Sequence, residues 1–184
     1  MRFIDLSIPE VKLIQPRRFR DARGYFTEIF KDDWFKENIS DVEFHQDNES
    51  LSFCAGTVRG LHFQLAPYAQ GKLVRCTRGA LLDVAVDIRA GSPTFGLWVS
   101  AELSADNGDQ LWVPSGFAHG FMTLTHDTVI NYKVTATYSA EHDRGMKWND
   151  PEIGIAWPEA ANYILSEKDE QQPLLSELPT FFKY

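Results

Sequence analysis

Hydrophobic and polar residues alternate along most of the chain with a period of two. The clearest case is ALLDVAVDI, Ala80–Ile88, in which Asp83 and Asp87 share one face and the other face carries Leu82, Val84, Val86 and Ile88. This alternation is typical of a β-strand. Comparable segments, separated by turn-forming clusters, lie at Phe44–Phe53, Thr57–Gln64, Phe95–Ser104, Gln110–Phe121 and Thr128–Tyr138. Strands at this spacing predict an all-β sandwich or barrel.

The two ends of the chain have a different pattern. The N-terminal segment is extended up to Pro16, turns at Ala22–Gly24 and continues as a strand. Lys31–Asn38 carries aspartates suited to the first turn of a helix, which predicts a short surface helix. From Arg144 onward prolines interrupt the chain, so only Ser166–Leu178 is expected to hold another short helix.

The length and the charge of the chain narrow these expectations. We predict one domain over residues 1–184, with a core barrel at about residues 40–140 on which the N-terminal strands and the C-terminal helical tail pack. The net charge of −8 argues against nucleic acid as a partner, because duplex-binding proteins present a basic face. An anionic ligand would therefore need a local cationic site.

The first residues and the cysteines bear on the compartment. MRFIDLSIPEVKLI is interrupted by charged residues and a proline, so we expect neither a signal peptide nor a membrane span. Cys54 and Cys76 lie in apolar, strand-like segments and are expected to be buried thiols, although a disulfide between them stays open. These features predict a cytoplasmic protein.

One region combines a proton-transfer group with anion-binding groups. Thr57–Gln64, TVRGLHFQ, is followed by GKLVRCTRG, which starts at Gly71. Together they bring His62 near two cations, Arg59 and Lys72, on strands that are rigid enough to aim catalytic groups. For this region alone, a hydrogen-bonded core histidine beside a surface arginine is the alternative.

Two glycine and histidine motifs resemble those of the cupin family of barrels. The first, Gly-x5-His-x-His, is present in Gly56 and His62, but Gln64 stands in place of the second histidine. The second, Gly-x5-Pro-x-Gly-x2-His, is complete from Gly108 to His119. Catalytic metal sites usually need three protein ligands, which two imidazoles do not supply. The resemblance implies a cupin-type double-stranded β-helix, or jelly-roll barrel, with short peripheral helices and no metal. A metal-dependent cupin is the alternative if a distant carboxylate supplies a third ligand.

Further motifs resemble one family of such barrels. In chain order they are DARGYFTE, FHQDNES, VRGLHFQ, GKLVR, VPSGFAHGF, NYKVT, YSAEHDRGMKWNDPEIGIAWP and LSEKDEQQPLL. Each motif alone is weak, but the set in this order, from about Arg20 to Leu175, closely resembles the dTDP-4-dehydrorhamnose 3,5-epimerase family.

By this resemblance, His62 corresponds to the general base of the family and Asp169 to the carboxylate that holds it. Tyr132 corresponds to the proton donor on the opposite face of the sugar, and Lys72 to the group beside the sugar ketone. The chemistry suits these residue types, because a 4-ketone acidifies the hydrogens at C3 and C5. Imidazole titrates near neutral pH, an ammonium stabilises an enolate, and a phenol is protonated at neutral pH and can donate.

The resemblance also implies substrate contacts. Arg59 and His119 correspond to contacts near the ketone. The residues matched to other contacts, mainly with the nucleotide and the phosphates, are Arg23, Phe26, Glu28, Gln46, Asp47, Asn48 and Tyr138, and some of them belong to the neighbouring chain of a homodimer. Asp143 stands where many members have glutamate, which is longer, so whether Asp143 contacts the substrate directly stays open. Lys168 stands at a position where a cation is expected and is also a predicted substrate contact.

We therefore expect a cofactor-independent isomerase that inverts C3 and C5 of dTDP-4-dehydro-6-deoxy-D-glucose to give dTDP-4-dehydro-L-rhamnose, for dTDP-L-rhamnose and surface polysaccharide such as O antigen. A single-centre epimerase of the same family, inverting only C3 or only C5, is one alternative. A sugar-nucleotide-binding or metal-dependent cupin is an alternative of another class, and Gln64 argues against its ligand set. The expected partners are the dTDP-4-keto-6-deoxyhexose and a second copy of the chain, without nucleic acid or membrane.

Overall fold

Strands make up most of the regular structure in the computed structural model, which describes residues 1–184. The strands are β1 (Arg2–Asp5), β2 (Lys12–Gln15), β3 (Arg18–Asp21), β4 (Gly24–Thr27), β5 (Gln46–Ser52), β6 (Val58–Gln64), β7 (Lys72–Arg78), β8 (Ala80–Asp87), β9 (Arg89–Ala90), β10 (Trp98–Ser104), β11 (Gln110–Val113), β12 (Phe117–Thr123), β13 (Thr128–Val134), β14 (Asp143–Gly145) and β15 (Phe182–Lys183). The helices are α1 (Asp32–Asn38), α2 (Glu167–Glu170) and a 3₁₀ turn at Leu175–Glu177. The predicted helices at both ends of the chain are therefore present.

Two antiparallel sheets face each other across the main core. One has six strands in the order β1-β2-β11-β7-β13-β5, and the other has five in the order β10-β8-β12-β6-β14. Neighbours in each sheet are mostly distant in sequence, and this arrangement is that of a jelly-roll barrel. The predicted all-β jelly-roll class is confirmed, while the division into a core barrel and packed ends stays a prediction.

Strand β8 is buried on both faces, which decides where its aspartates lie. Its aliphatic row, which includes Val84 and Val86, points away from the opposite sheet and packs under the C-terminal tail, against residues such as Trp157. The alternate row therefore points into the barrel, where Asp83 and Asp87 are fully buried. The aspartates that mark the polar face in the sequence are thus interior groups, and each needs a partner inside the protein.

The outer face of the six-stranded sheet is covered by α1 and the segments beside it. Phe35 of α1 is 1% exposed, and its ring centroid lies 5.2 Å from those of both Phe44 and Trp112. Leu73 of β7 belongs to the same cluster. This aromatic cluster supports the outer side of β7, whose first residue is Lys72.

A β-bulge sets the separation of β6 and β12. The pairing register shifts between His119 and Phe121, and His119 pairs across the two strands with His62. A Cβ at Gly120 would lie 2.7 Å from the carbonyl oxygen of Arg59, so only glycine permits this approach of the strands. The bulge thereby places two imidazoles side by side on neighbouring strands.

The hairpin of β3 and β4 pairs with no other strand. Phe19, Tyr25 and Phe26 are all exposed on it, Phe26 to 66%.

The two cysteines differ in exposure. Cys76 is buried as predicted, but the prediction for Cys54 was wrong: this thiol is exposed, because it lies just beyond the end of β5. None of the helices has the length and apolar character needed to cross a bilayer.

The aromatic cluster on α1 generates a stability prediction. We expect Phe35→Ala to lower the free energy of unfolding by about 3–5 kcal/mol, because it removes a fully buried ring and leaves a cavity. The matched control is Phe53→Ala, which removes a ring that is 71% exposed and is expected to cost less than about 0.5 kcal/mol. Urea unfolding measures both. Equal losses would contradict a supporting role for this cluster.

Candidate active site

Two adjoining cavities open between the sheets. The first has a volume of about 480 Å³ and the second about 310 Å³, and His62, Lys72 and Tyr132 line both. His62 extends from β6 of the five-stranded sheet, whereas Lys72 and Tyr132 extend from β7 and β13 of the six-stranded sheet. A ligand in this space would therefore have His62 and Tyr132 on different sides.

His62 is held by Asp169. The Nε2 atom of His62 lies 2.5 Å from Oδ1 of Asp169, which is almost fully buried on α2. Burial by itself raises the pKa of the Asp169 carboxyl, but hydrogen bonds from His62, Ser166 and the backbone of Gly60, with the charge of His62, hold it below the ordinary value. An ionised Asp169 accepts a hydrogen bond from Nε2–H, so Nδ1 is the basic nitrogen of His62.

Tyr132 is suited to donate a proton. Burial, together with the negative charge of Asp143, raises the pKa of its phenol above the ordinary value, against a lowering effect of Arg59. The hydroxyl is therefore protonated at neutral pH. It is paired with Asn48 on the edge strand β5 and with Val74 on β7, so strands hold it from both sides.

Lys72 is a buried amine between these two groups. It is 8% exposed, and Nζ donates a hydrogen bond to the carbonyl oxygen of His62 at 3.3 Å. Burial lowers the pKa of Lys72 to about 8, while the charges of Asp143 and Asp83 raise it against that effect. The ammonium form is thus only moderately stable, and an anion that develops beside it would be strongly attracted.

His119 has a carboxylate partner of its own. Its Nε2 lies 2.7 Å from Oδ1 of Asp83, and both side chains are buried. Sequence reasoning placed His119 among the substrate contacts but gave Asp83 no site role. The sequence feature that could have indicated a role for Asp83 is a carboxylate in a strand whose other residues are mostly aliphatic.

The mouth of the second cavity carries charged and aromatic groups. Lys168 forms an ion pair with Asp143, and the hydroxyl of Tyr138 donates to the same carboxylate at 3.3 Å. Arg59 lines the first cavity and donates to Oγ of Ser52 at 3.2 Å. Arg59 and Lys168 thus line the first cavity, and Tyr138 and Asp143 line the adjoining one.

The predicted nucleotide contacts do not all lie together. Gln46 and Asn48 line the second cavity and are joined by a hydrogen bond of 2.7 Å. Asp47, between them, points to the outer face of β5 and forms an ion pair with Lys133 at 3.0 Å. Arg23, Phe26 and Glu28 are exposed on or beside the free hairpin and line neither cavity. Their contacts with a substrate stay predictions.

Gln64, at the position of the second cupin histidine, has a structural set of partners. Its Nε2 donates to the carbonyl oxygens of Tyr68 and Thr137, and its Oε1 accepts from the backbone N–H of Ser139 at 2.7 Å. The residue in place of the second cupin histidine is thus an amide that joins the loop between β6 and β7 to the segment between β13 and β14. Sequence reasoning also missed several cavity-lining residues, which are Ser50, Thr57, Phe121, Ile130, Ile164, Leu165 and Ser166.

Comparison with known proteins places the chain in a family. A model of the dTDP-4-dehydrorhamnose 3,5-epimerase family matches residues 5–177. The dTDP-4-dehydrorhamnose 3,5-epimerase of Sinorhizobium fredii is 71% identical over 184 residues, which cover 100% of this chain and 94% of that protein.

Solved structures agree with this assignment. The dTDP-6-deoxy-D-glucose-3,5-epimerase of Legionella pneumophila, in complex with dTDP-4-keto-L-rhamnose, has a TM-score of 0.95 and 41% identity, with 100% of this chain and 98% of that chain covered. A 3′-monoepimerase of Streptomyces bikiniensis, in complex with dTDP-quinovose, has a TM-score of 0.87 and 34% identity, with coverage of 93% and 86%. The resemblance found in the sequence is confirmed, and so is the enzyme class, an isomerase. The chain belongs to the dTDP-4-dehydrorhamnose 3,5-epimerase family.

Proposed function

We propose that this protein inverts C3 and C5 of dTDP-4-dehydro-6-deoxy-D-glucose to give dTDP-4-dehydro-L-rhamnose, in the synthesis of dTDP-L-rhamnose. The observation that carries the proposal is the placement of His62 and Tyr132 on facing sheets, with Lys72 beside them. Inversion at a carbon needs a base on one side and an acid on the other. The names of the relatives from Sinorhizobium and Legionella support the substrate class.

Proton removal begins the reaction. Nδ1 of His62 takes the hydrogen from the carbon next to the ketone, and Asp169 offsets the positive charge that the imidazole gains. The electrons of the broken C–H bond move toward the ketone oxygen and form an enolate. Lys72, as an ammonium in a largely buried site, stabilises that oxygen.

Proton return from the other side completes each inversion. If His62 gave its proton back to the same face, the starting configuration would be restored. The Tyr132 hydroxyl instead protonates the carbon from the facing sheet and becomes a phenolate. Exchange of protons with water then restores His62 and Tyr132. These steps use only side chains of the chain itself.

Charged groups near the opening suit an anionic nucleotide. Arg59 and Lys168 are local cations on a chain whose net charge is −8. We propose that Lys168 contacts the diphosphate and that Arg59 contacts the substrate near the ketone, while Gln46, Asn48 and Tyr138 contact the nucleotide and the sugar from the second cavity. Asp143, already paired with Lys168 and Tyr138, orders this side of the site.

The number of inverted centres is tested by proton NMR in deuterated water with dTDP-4-dehydro-6-deoxy-D-glucose. We expect both the C3 and the C5 hydrogen to exchange and the product to show the couplings of the L-configured sugar. A single-centre enzyme, like the monoepimerase with the same fold, would invert one position only. The control is His62→Ala, which should abolish exchange at both carbons. Exchange by that variant at near the native rate would require another base.

A second prediction separates acid from base. We expect Tyr132→Phe to lower formation of inverted product by about 10² to 10⁴-fold, the usual contribution of a general acid. Deuterium exchange into recovered substrate should fall less, because His62 and Lys72 still form the enolate and return the proton on one face. The two rates are measured by NMR on the same samples.

The matched control for this prediction is Tyr184→Phe, which removes a phenol hydroxyl away from both cavities and should leave both rates unchanged. Equal loss of exchange and of product by Tyr132→Phe, in protein that still folds and binds dTDP, would mean that Tyr132 positions the substrate and donates no proton.

We also propose a homodimer in which the hairpin of β3 and β4 reaches the partner's site. Its aromatic side chains are exposed, and it pairs with no strand of its own chain. Arg23 forms its ion pair only with Asp21, on the same hairpin. An exposed aromatic hairpin of this kind is a common means of association. Arg23, Phe26 and Glu28 would then contact nucleotide bound by the other chain.

Light scattering should give the mass of two chains at micromolar concentration, and mixing variants tests the shared site. Arg23→Ala and His62→Ala are each expected to be strongly impaired, in different parts of the site. When the two are unfolded and refolded together, mixed dimers carry one intact site, so about a quarter of native activity should return. A monomer mass, or no recovery on mixing, would contradict the proposal.

We further propose that the product serves surface polysaccharide, such as O antigen, and that the protein acts in the cytoplasm. Both cysteines are free thiols. Free thiols are usual in a reducing compartment, which supports this location.

A further inference from the structure

Asp83 is a buried carboxylate to which the mechanism above gives no role. Its side chain is fully buried on β8, and its Oδ1 accepts a hydrogen bond from His119. Its Oδ2 is also buried but has no hydrogen-bond partner in the protein. A buried carboxylate with one unbonded oxygen costs stability compared with an apolar residue of similar size. Folding alone therefore gives little reason for an aspartate at this position.

The pair of Asp83 and His119 repeats the arrangement of Asp169 and His62. The two histidines are paired across neighbouring strands and line the same cavity. In each case Nε2 is bonded to a carboxylate, so Nδ1 is the nitrogen left for a ligand. A carboxylate bonded to one ring nitrogen fixes both the orientation and the tautomer of an imidazole.

Asp83 also acts on Lys72 through its charge. The other titratable groups of the two cavities beside Lys72 are Arg59, His62, His119, Tyr132, Lys168 and Asp169, together with Asp143 in the second cavity. Burial lowers the pKa of Lys72 to about 8, and Asp143 and Asp83 are the two carboxylates that raise it. Asp143 is itself paired with Lys168, whereas Asp83 has no cationic partner other than a protonated His119.

We propose that Asp83 is a positioning residue of the epimerase: through its hydrogen bond to Nε2 it holds the ring of His119 against the bound sugar, in the cavity that Lys72 also lines. This inference rests on the proposed function. It assigns one of the two aspartates on the polar face of β8 to the reaction, although Asp83 itself does not line either cavity.

The test compares pH profiles of kcat/KM for the native protein, Asp83→Asn and Asp87→Asn with dTDP-4-dehydro-6-deoxy-D-glucose. The native profile should fall above about pH 8, as Lys72 loses its proton. In Asp83→Asn the loss of negative charge favours the neutral amine, so this fall should begin at lower pH. The maximal rate should also drop by about 10 to 100-fold, the effect typical of removing a carboxylate that orients a metal-binding histidine.

Asp87→Asn is the matched control. Asp87 is equally buried, on the same strand and the same face, but its partners are Arg89, Ser92 and Thr94. This variant should lose stability while the fall in its pH profile stays at the native pH. Lys72→Arg checks the assignment: its guanidinium stays charged, so the remaining activity should lack the fall near pH 8.

Each outcome has a distinct meaning. An Asp83→Asn profile equal to the native one, or an equal shift in Asp87→Asn, would overturn the inference. Absence of native turnover would overturn the proposed function and this inference with it. If Asp83→Asn does not fold, Asp83→Ser replaces it, since serine is smaller and uncharged: a rate at least about 10-fold lower than that of the native protein supports the inference, and a native rate overturns it.

Discussion

Charges that are buried inside the barrel must be compensated there, and the site is arranged around this requirement. Each interior histidine is bonded to a carboxylate, His62 to Asp169 and His119 to Asp83. Lys72 lies near enough to Asp143 and Asp83 for their charges to act on its pKa. Removing one member of such a set leaves another charge buried without a partner, which is why these groups depend on one another. The same low exposure makes their electrostatic effect on a substrate large.

The fold makes an interior site feasible by covering both sheets from outside. The C-terminal tail packs on the outer face of the five-stranded sheet, and α1 with its neighbouring segments packs on the six-stranded sheet. These two outer clusters bury the aliphatic rows of the strands. The rows that face inward can then carry polar groups at one end of the barrel, while a separate apolar cluster between the sheets supplies the main core.

The two facing sheets also explain how one cavity supports chemistry on two faces of a sugar. His62 and His119 belong to one sheet, and Lys72 and Tyr132 to the other, so strand positions and not loop conformations set their separation. Side chains on strands are held more firmly than those on loops. Of the groups that extend the site, Asp143 is also on a strand, β14, whereas Tyr138 lies in the segment after β13 and Lys168 on the short helix α2.

The sequence by itself determined the strands and the family. The alternation that predicts a strand over Ala80–Ile88 can be read from neighbouring residues alone. The family motifs can likewise be recognised from short stretches of sequence and their order along the chain. The tertiary structure alone decided which row of β8 lies inside, because that depends on a tail that packs on the other row from far along the chain. It also decided the pairing of Asp83 with His119, which are 36 residues apart, a distance over which periodicity carries no information. By contrast, Asp47 and Asn48 are neighbours on β5 and lie on opposite faces of the sheet, as the period of two along a strand requires.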